Sequence, residues 1–320
     1  MKGFVVGLIV LGGVCLVGGA AILAFGMSKG KINDNLATNE HKITDSFDDI
    51  EIDVETADVD IKKAEDGQAK VVCVEKEKVY HTAEVSNNKL VIKVKDERRW
   101  YQKYLFNWNF KSMSVTVYLP EETYSDLTIE SNTGHIVVDK EFTFANINLS
   151  DDTGTVKLNN KATGDVEIKV HTGSVNLDNF DAANLKVKTS TGDVNYKSGE
   201  VAGNIELQSS TGDHELEGVK AKSLNVKSST GHVHLTDVVI DNNMDIKTST
   251  GDVRFERSDA KEIKVETSTG SIKGTLLTSK LFSGQSDTGS VKFPKMDEWD
   301  QEGGKFEAKS DTGSIDIKIA

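Results

Sequence analysis

The sequence predicts an all-β chain folded as a single-stranded β-solenoid, in which successive rungs of short strands stack on one another. Ten Thr-Gly dipeptides recur at intervals of 19 or 20 residues, followed by a last interval of 24, and a regular repeat of this length is typical of stacked repeat architectures. Apolar and polar residues alternate on both sides of each dipeptide, which indicates half-buried strands and excludes helices. We therefore expect about ten rungs of 19 or 20 residues, with corners at Gly134, Gly154, Gly173, Gly192, Gly212, Gly231, Gly251, Gly270, Gly289 and Gly313.

Four inward positions recur in each repeat. The residues seven and five positions before the glycine are apolar, as in Leu185 and Val187, and so are those two and four positions after it, as in Val194 and Tyr196. Because successive side chains of a strand point to opposite faces, these positions form the core and the polar residues between them face solvent. Each rung is predicted to contribute two strands, one on either side of the glycine.

The Ser-Thr-Gly segment predicts the corner between these strands. Glycine reaches positive φ without the steric cost that other residues meet, so it suits a sharp bend repeated in every rung. The residue two positions before the glycine is most often Ser, Asp or Asn, and we expect its side chain to hydrogen-bond the local backbone. The stacked threonines could form a ladder of hydroxyl groups along one edge.

A degenerate copy of the repeat lies upstream, where Ile50 to Ile61 fits the pattern with Ala57 in place of glycine. Residues 62–119 are then an excursion between two copies, with strand-like runs at 70–74, 89–95 and 112–119. We interpret the excursion as hairpins that cap one end of the stack, because an uncovered end is an open sheet edge that promotes aggregation. Residues 294–304, within the longer last interval, could cap the other end.

The N-terminus contains an uncharged run of 23 residues, Phe4 to Gly26, which is long enough to cross a bilayer as a helix. Two outcomes are open: the run remains as a transmembrane anchor, or it is cleaved as a signal peptide. Lysines on both sides of the run do not decide its orientation. We expect the C-terminal domain to lie outside the membrane, because a short polar tail before an apolar segment is usual for an export anchor.

The predicted organisation follows from these segments. It comprises a transmembrane anchor at 1–28, a linker at 29–46, the N-terminal part of the β domain with its capping excursion at 47–126, and the solenoid repeats at 127–320.

Charge and cysteine usage limit the partners of the chain. A formal net charge of −13 excludes nucleic acid, because nucleic-acid binding needs a basic surface. Anionic wall polymers are repelled by the domain as a whole, although a row of lysines such as Lys186, Lys188, Lys227 and Lys247 could still contact one. Cys15 lies in the apolar run and Cys73 in a predicted strand, so the two cannot pair and no disulfide is expected.

Three histidines form a candidate pH-sensitive or polar site. His214 occupies an inward column otherwise filled by Ile or Val, and it is either a buried histidine with a local partner or a ligand or pH-sensing group. His232 and His234 point outward from the next rung. We expect Asp213 to pair with His232, and Glu215 with His234, across neighbouring strands.

An aromatic segment in the excursion is the most distinctive sequence outside the repeats. It either closes the end of the solenoid as a small core, the alternative that we favour, or forms an exposed surface that contacts lipid or a partner. The candidate contact residues are Trp100, Tyr101, Tyr104, Phe106, Trp108 and Phe110.

The sequence contains no motif for catalysis, for a cofactor or for a metal ion. Asp165, Asp193, Asp213 and Asp252 each follow a glycine, but the paired glycines and nine-residue period of calcium-binding solenoids are missing. Glycan hydrolysis needs paired carboxylates flanking the bond, and no such cluster is evident. A non-enzymatic role is therefore predicted, and the alternative is a β-helix enzyme acting on cell-wall glycans.

Three features carry a family resemblance: the repeated Ser-Thr-Gly-Asp-Val, Phe47 to Ile52, and Val115 to Pro120 followed by a strand into Thr133-Gly134. Together they resemble the DUF4097 family of β-strand repeats, also described as putative adhesins, over about residues 45–320. The resemblance implies a β-solenoid on a bacterial, often Gram-positive, cell envelope, with adhesion or envelope stress as its role and no catalytic residues. We therefore expect a single-pass membrane protein whose extracytoplasmic domain binds a cell-wall polymer or an envelope protein.

Overall fold

A computed structural model describes residues 36–100, 112–295 and 303–320, and in these ranges nearly all regular structure is β-strand. The strands form one 24-stranded sheet that coils into a β-solenoid of about nine turns, counted from one Thr-Gly corner to the next. The all-β solenoid predicted from the repeat is confirmed. No helix within the described ranges is long and apolar enough to cross a bilayer, and the apolar run Phe4 to Gly26 lies outside them.

Twenty-four strands are numbered in chain order. The first six are β1 (Leu36–Lys42), β2 (Asp49–Lys63), β3 (Lys70–Lys76), β4 (Val79–Ser86), β5 (Lys89–Asp96) and β6 (Met113–Leu119). The central ones are β7 (Thr123–Thr133), β8 (Ile136–Val138), β9 (Thr143–Thr153), β10 (Val156–Leu158), β11 (Lys161–Ala162), β12 (Asp165–Thr172), β13 (Val175–Asp178), β14 (Asn184–Thr191), β15 (Val194–Thr211), β16 (His214–Thr230), β17 (Val233–Thr236), β18 (Val239–Thr250), β19 (Val253–Thr269) and β20 (Ile272–Leu276). The last are β21 (Leu281–Thr288), β22 (Val291–Lys292), β23 (Lys305–Thr312) and β24 (Ile315–Ile319).

The corner glycines lie where the neighbouring rung leaves no room for a side chain. Gly212 has a φ of 141°, and a Cβ atom added to it would lie 2.1 Å from the carbonyl oxygen of Gly192. The same contact recurs one rung further on, where a Cβ on Gly231 would lie 1.9 Å from the carbonyl oxygen of Gly212. Glycine is therefore required for close stacking as well as for its backbone conformation.

The rungs have three sides rather than the two that were predicted. A short third segment closes each turn, and its buried inner residues stack in register as Val201, Ala221, Ile240 and Ala260. A second corner precedes this segment, six positions after the glycine. Its residues have φ values from 47° to 63°, and they are Asn179, Ser198, Gly218, Asp237 and Arg257. Because they differ in type, no repeated sequence pattern indicates this corner.

Hydroxyl side chains inside the solenoid support the glycine corners. Strand alternation places the residue three positions before the glycine on the inner face. Thr248 donates to the carbonyl of Gly231 at 3.2 Å, and Ser310 donates to the carbonyl of Gly270 at 2.9 Å. Among the described residues, the side chain two positions before the glycine points outward and makes no hydrogen bond to the local backbone, so the role predicted for it is wrong.

Ala57 replaces glycine in the first rung, as the degenerate repeat predicts. A Cβ added to Gly134 would lie 2.1 Å from the carbonyl oxygen of Ala57, and Thr56 pairs with Thr133. On its other side this rung pairs in parallel with β5 and β6. The repeat therefore begins before the excursion and continues after it.

The N-terminal cap consists of β1 and β3 to β6, which cover this end of the solenoid. β3 pairs antiparallel with β6, β4 pairs antiparallel with β5, and β1 pairs antiparallel with β3. Residues 36–42 therefore form a cap strand, although the sequence predicts a linker over residues 29–46. Their polar sequence lacks the alternation that marks the repeats, because the strand is mostly exposed.

The last two repeats stack in the reverse of their chain order. The Gly313 rung, β23 and β24, pairs with β19 and β20, while the Gly289 rung, β21 and β22, lies outside it. The expectation of strictly sequential rungs is wrong here, because the long last interval gives the chain enough length to return and insert a rung. Leu281 and Val291 of the outer rung are 40% and 39% exposed.

We expect Gly212→Val to destabilise the protein by at least about 4 kcal/mol, or to prevent folding, because the new side chain meets the backbone of the preceding rung at Gly192. Gly218→Asn is the matched control. Gly218 has a φ of 63° at the second corner and only atoms of Ser198 near an added Cβ, at 3.8 Å or more.

Thermal unfolding followed by circular dichroism measures both variants. Gly218→Asn should stay close to the wild-type melting temperature, since another rung already has Asn179 at this position. Equal melting temperatures for Gly212→Val and the wild type would contradict the corner assignment.

Candidate functional site

A polar groove crosses the outer face of the strands that precede the Thr-Gly corners. It has a volume of about 400 Å³, is shallow and spans four successive rungs. Strand alternation brings the residues four and two positions before each glycine to this surface. The polar groove is lined on this face by Ser150, Asp152, Lys169, His171, Lys188, Ser190, Gln208 and Ser210.

The lysines of this face differ in how they are paired. Lys169 forms an ion pair with Glu167 at 3.3 Å, and Lys247 forms one with Glu266 at 3.1 Å. Within the described part of the chain, neither Lys188 nor Lys227 forms an ion pair. The lysine row noted in the sequence therefore retains cationic groups that an anionic ligand could contact.

His214 lies in the core between valines of the two neighbouring rungs. It pairs with Val194 in one neighbouring rung and with Val233 in the other, and it is fully buried. Its Nε2 atom lies 2.8 Å from the hydroxyl oxygen of Ser209, which is hydrogen-bonded to Ser228 at 3.0 Å. Burial lowers the pKa of His214 to about 4, so the imidazole is neutral in the folded protein at pH 7.

His232 and His234 are exposed on the next rung, with their ring centres 6.0 Å apart. The predicted partner of His232 is close, but the contact differs: Asp213 Oδ1 accepts from the backbone N–H of His232 at 2.7 Å. The imidazole Nδ1 of His232 in turn accepts from the backbone N–H of Asp252 at 3.0 Å. Glu215 and His234 occupy paired positions.

These contacts belong to a ladder that follows the corner. The side chain directly after the corner residue, which is glycine or, in the first rung, Ala57, accepts a hydrogen bond from the backbone N–H at the same position of an adjacent rung. This amide would otherwise lack a partner at the bend. The acceptor and donor pairs include Asp58 with His135, Asp193 with Asp213, and Asp252 with Ser271. Asp193, Asp213 and Asp252 thus hold the corners together.

Two buried groups could have served as reactive side chains in an enzyme. Cys73 is a free, buried cysteine, and burial together with Glu75 raises the pKa of its thiol to about 12. Asp151 points inward beneath its corner, and burial raises the pKa of its carboxyl group. Neither has the exposed, activated form that a nucleophile or a general acid needs to reach a substrate.

Of the six aromatic candidates, the structure describes Trp100, which is 75% exposed. Tyr101, Tyr104, Phe106, Trp108 and Phe110 lie outside the described residues. Whether the segment caps the solenoid or contacts a partner therefore remains a prediction.

The sequence profile of DUF4097, described as Toastrack, matches residues 47–209 and 202–320. The chain belongs to the DUF4097 family. No curated protein matches it.

Several solved structures resemble the chain at low sequence identity. One is described as a putative adhesin from Bacteroides fragilis, with 14% identity, coverage of 89% of this chain and 97% of that one, and a TM-score of 0.38. Another is a putative cell adhesion protein from Clostridium sporogenes, with 11% identity, 89% and 100% coverage, and a TM-score of 0.23. A third is a putative lipid binding protein from Parabacteroides distasonis, with 16% identity, 76% and 98% coverage, and a TM-score of 0.36.

We expect His214→Val to reduce the acid sensitivity of the fold. The pKa of His214 is about 4 in the native state and about 6.5 in an unfolded chain, so the unfolded state binds more protons between these values. The contribution of neutral His214 is complete above about pH 6.5 and is lost as the pH falls towards 4. Between pH 7 and pH 4, wild-type stability should fall by about 3 kcal/mol more than that of the variant.

Urea unfolding at a series of pH values measures this difference. His234→Ala is the control, because it removes an exposed histidine and leaves the core intact, and it should retain the wild-type pH dependence. Parallel stability curves for the wild type and His214→Val would show that His214 does not cause the acid sensitivity.

Proposed function

We propose that this chain is a non-enzymatic surface protein of the bacterial cell envelope, which uses its solenoid as a binding or scaffold surface with an adhesin or envelope-stress role. The observation that carries the proposal is the polar groove, in which hydroxyl and cationic groups recur over four rungs beside one imidazole, one amide and one carboxylate. Strand spacing sets this repeat at about 4.8 Å. Such a surface suits an extended polymer better than a small molecule, which binds in an enclosed and largely apolar pocket.

The charge distribution favours a wall polymer that carries anionic and hydroxyl groups. The net charge of −13 works against binding such a polymer over the whole surface, so attraction has to be local. Lys188, which has no ion pair among the described residues, supplies positive charge next to Ser190 and Ser210. Lys169 lies beside it in the groove and would have to exchange its contact with Glu167 for the polymer. An envelope protein is the alternative partner.

The location proposed for the protein rests on its N-terminal sequence. The run Phe4 to Gly26 would hold the chain in the membrane as a single-pass anchor, with the solenoid on the extracytoplasmic side. Membership of the DUF4097 family supports the same location, because the family resemblance implies a bacterial, often Gram-positive, cell envelope.

The second candidate function is that of a glycan-cleaving enzyme, and the raised pKa of Asp151 is the observation that favours it. A general acid with this property must also contact the glycosidic oxygen. Asp151 is only 2% exposed and lies inside the rung, while its neighbour Asp152 points to the other face of the strand. This arrangement favours binding over catalysis.

We expect the full-length protein in detergent micelles to co-sediment with purified Gram-positive cell walls that retain their anionic polymers. The double variant Lys169→Glu/Lys188→Glu should bind about tenfold more weakly, a change of roughly 1.4 kcal/mol, and added salt should weaken wild-type binding. Lys220→Glu/Lys222→Glu, on the third side of the solenoid, makes the same change in net charge and should bind as the wild type does.

Two outcomes would contradict the proposal. Equal binding by the groove variant and the wild type would exclude the polar groove as the binding surface. Release of reducing ends from the walls, abolished by Asp151→Asn, would establish the enzyme instead.

A further inference from the structure

Three side chains of metal-ligand type meet inside the N-terminal cap. One ligand atom from each of Cys73, Glu75 and His81 lies within 4.8 Å of the others. The three residues are 0%, 2% and 1% exposed. Among the described residues, no other group of three or more such side chains is close enough to hold a metal ion.

The local fold explains why these residues meet. Cys73 and Glu75 are two positions apart in β3 and share its inner face. The chain then reverses, Lys76 pairs with Val79, and β4 leaves β3 to pair with β5. His81 therefore lies where the two strands separate.

The Glu75 carboxylate fills the gap between the separating strands. Its Oε2 atom accepts from the backbone N–H of His81 at 2.7 Å and lies 3.0 Å from Nδ1 of the same residue. Its Oε1 atom accepts from the side-chain amide of Asn39 in β1 at 2.6 Å. Hydrogen bonds of this kind orient the ligands of protein metal sites.

The histidine retains unused capacity for a ligand. His81 Nε2 is buried and has no hydrogen-bond partner among the described residues. Buried polar atoms are normally paired, so an unpaired one calls for an explanation such as a bound ion.

We propose that Cys73, Glu75 and His81 form a zinc-binding site in the N-terminal cap. Thiolate, imidazole and carboxylate are the ligands that zinc takes in proteins, at about 2.0 to 2.3 Å. Ligand atoms of a tetrahedral zinc ion are therefore roughly 3.5 Å apart, so the three side chains, whose ligand atoms lie within 4.8 Å of one another, would move closer together on binding. Magnesium and calcium prefer all-oxygen sites and are excluded by the thiol and the imidazole.

Charge balance suits the buried position. A zinc ion with one thiolate, one carboxylate and a neutral imidazole forms a unit of zero net charge, which the core tolerates better than an isolated ion. On binding, the Cys73 thiol releases its proton to solvent and the sulfur forms the bond to zinc. No oxidation or reduction is involved.

The bound ion would join the strands of the cap. It links β3 to β4 directly, and it reaches β1 through the contact between Asn39 and Glu75. Since zinc binds the folded cap, it should stabilise the end of the solenoid that follows the apolar N-terminal run.

The test uses the full-length protein in detergent micelles, stripped of metal and then given zinc or cobalt. We expect one zinc ion per chain, a higher melting temperature with zinc than with chelator, and a thiolate-to-cobalt charge-transfer band. Cys73→Ser and Glu75→Gln, both close in shape to the native residues, should each weaken zinc binding by at least about tenfold.

Cys15→Ser is the matched control, because it removes the other cysteine of the chain and leaves the cap intact. In this variant Cys73 is the only thiol, so a cobalt charge-transfer band identifies it as a ligand even if a cap variant fails to fold. Absence of the band from Cys15→Ser, or equal zinc binding by the wild type and a folded Cys73→Ser variant, would overturn the proposal.

Discussion

The close stacking of glycines at the corner is the constraint on which the rest of the solenoid depends. At Gly173 an added Cβ would lie 1.6 Å from the carbonyl oxygen of Gly154, a distance that no side chain can adopt. The chain must therefore place a glycine at the same point of every central rung. Since one turn of the chain takes 19 or 20 residues, this requirement makes glycine recur with that period, and the same period keeps the apolar columns in register.

Much of the fold was predictable because its main signals have a fixed period. The inward columns around the glycine, such as Val187 and Val194, follow from strand alternation alone, and both are fully buried. The third side was missed because its corner has no characteristic residue type. Arg257 has a left-handed backbone conformation at this corner. Its guanidinium group donates to both carboxylate oxygens of Asp237, with N–O distances of 2.8 and 2.6 Å. This contact joins two rungs, so no local sequence pattern indicates it.

The candidate sites were predictable to different degrees. His214 was identified because it interrupts an apolar column, and its buried position follows from the same register. The cluster of Cys73, Glu75 and His81 was not identified, because it depends on how β4 separates from β3. The only sequence signal is the spacing of Cys73 and Glu75 on one strand face, which is common in strands without a metal ion. The reversed order of the last two rungs likewise depends on long-range pairing.

The central claim is that the glycine corners are joined rung to rung by backbone hydrogen bonds, including at the reversed C-terminal end. The amide of Gly192 donates to Thr211 at 2.9 Å, the amide of Gly270 to Thr312 at 2.9 Å, and the amide of Gly313 to Thr288 at 2.9 Å. Residue-resolved hydrogen exchange of the corner amides tests this most directly. We predict slow exchange at all three glycines, as in core strands, whereas exchange at the rate of an exposed loop would contradict the stacked-corner solenoid.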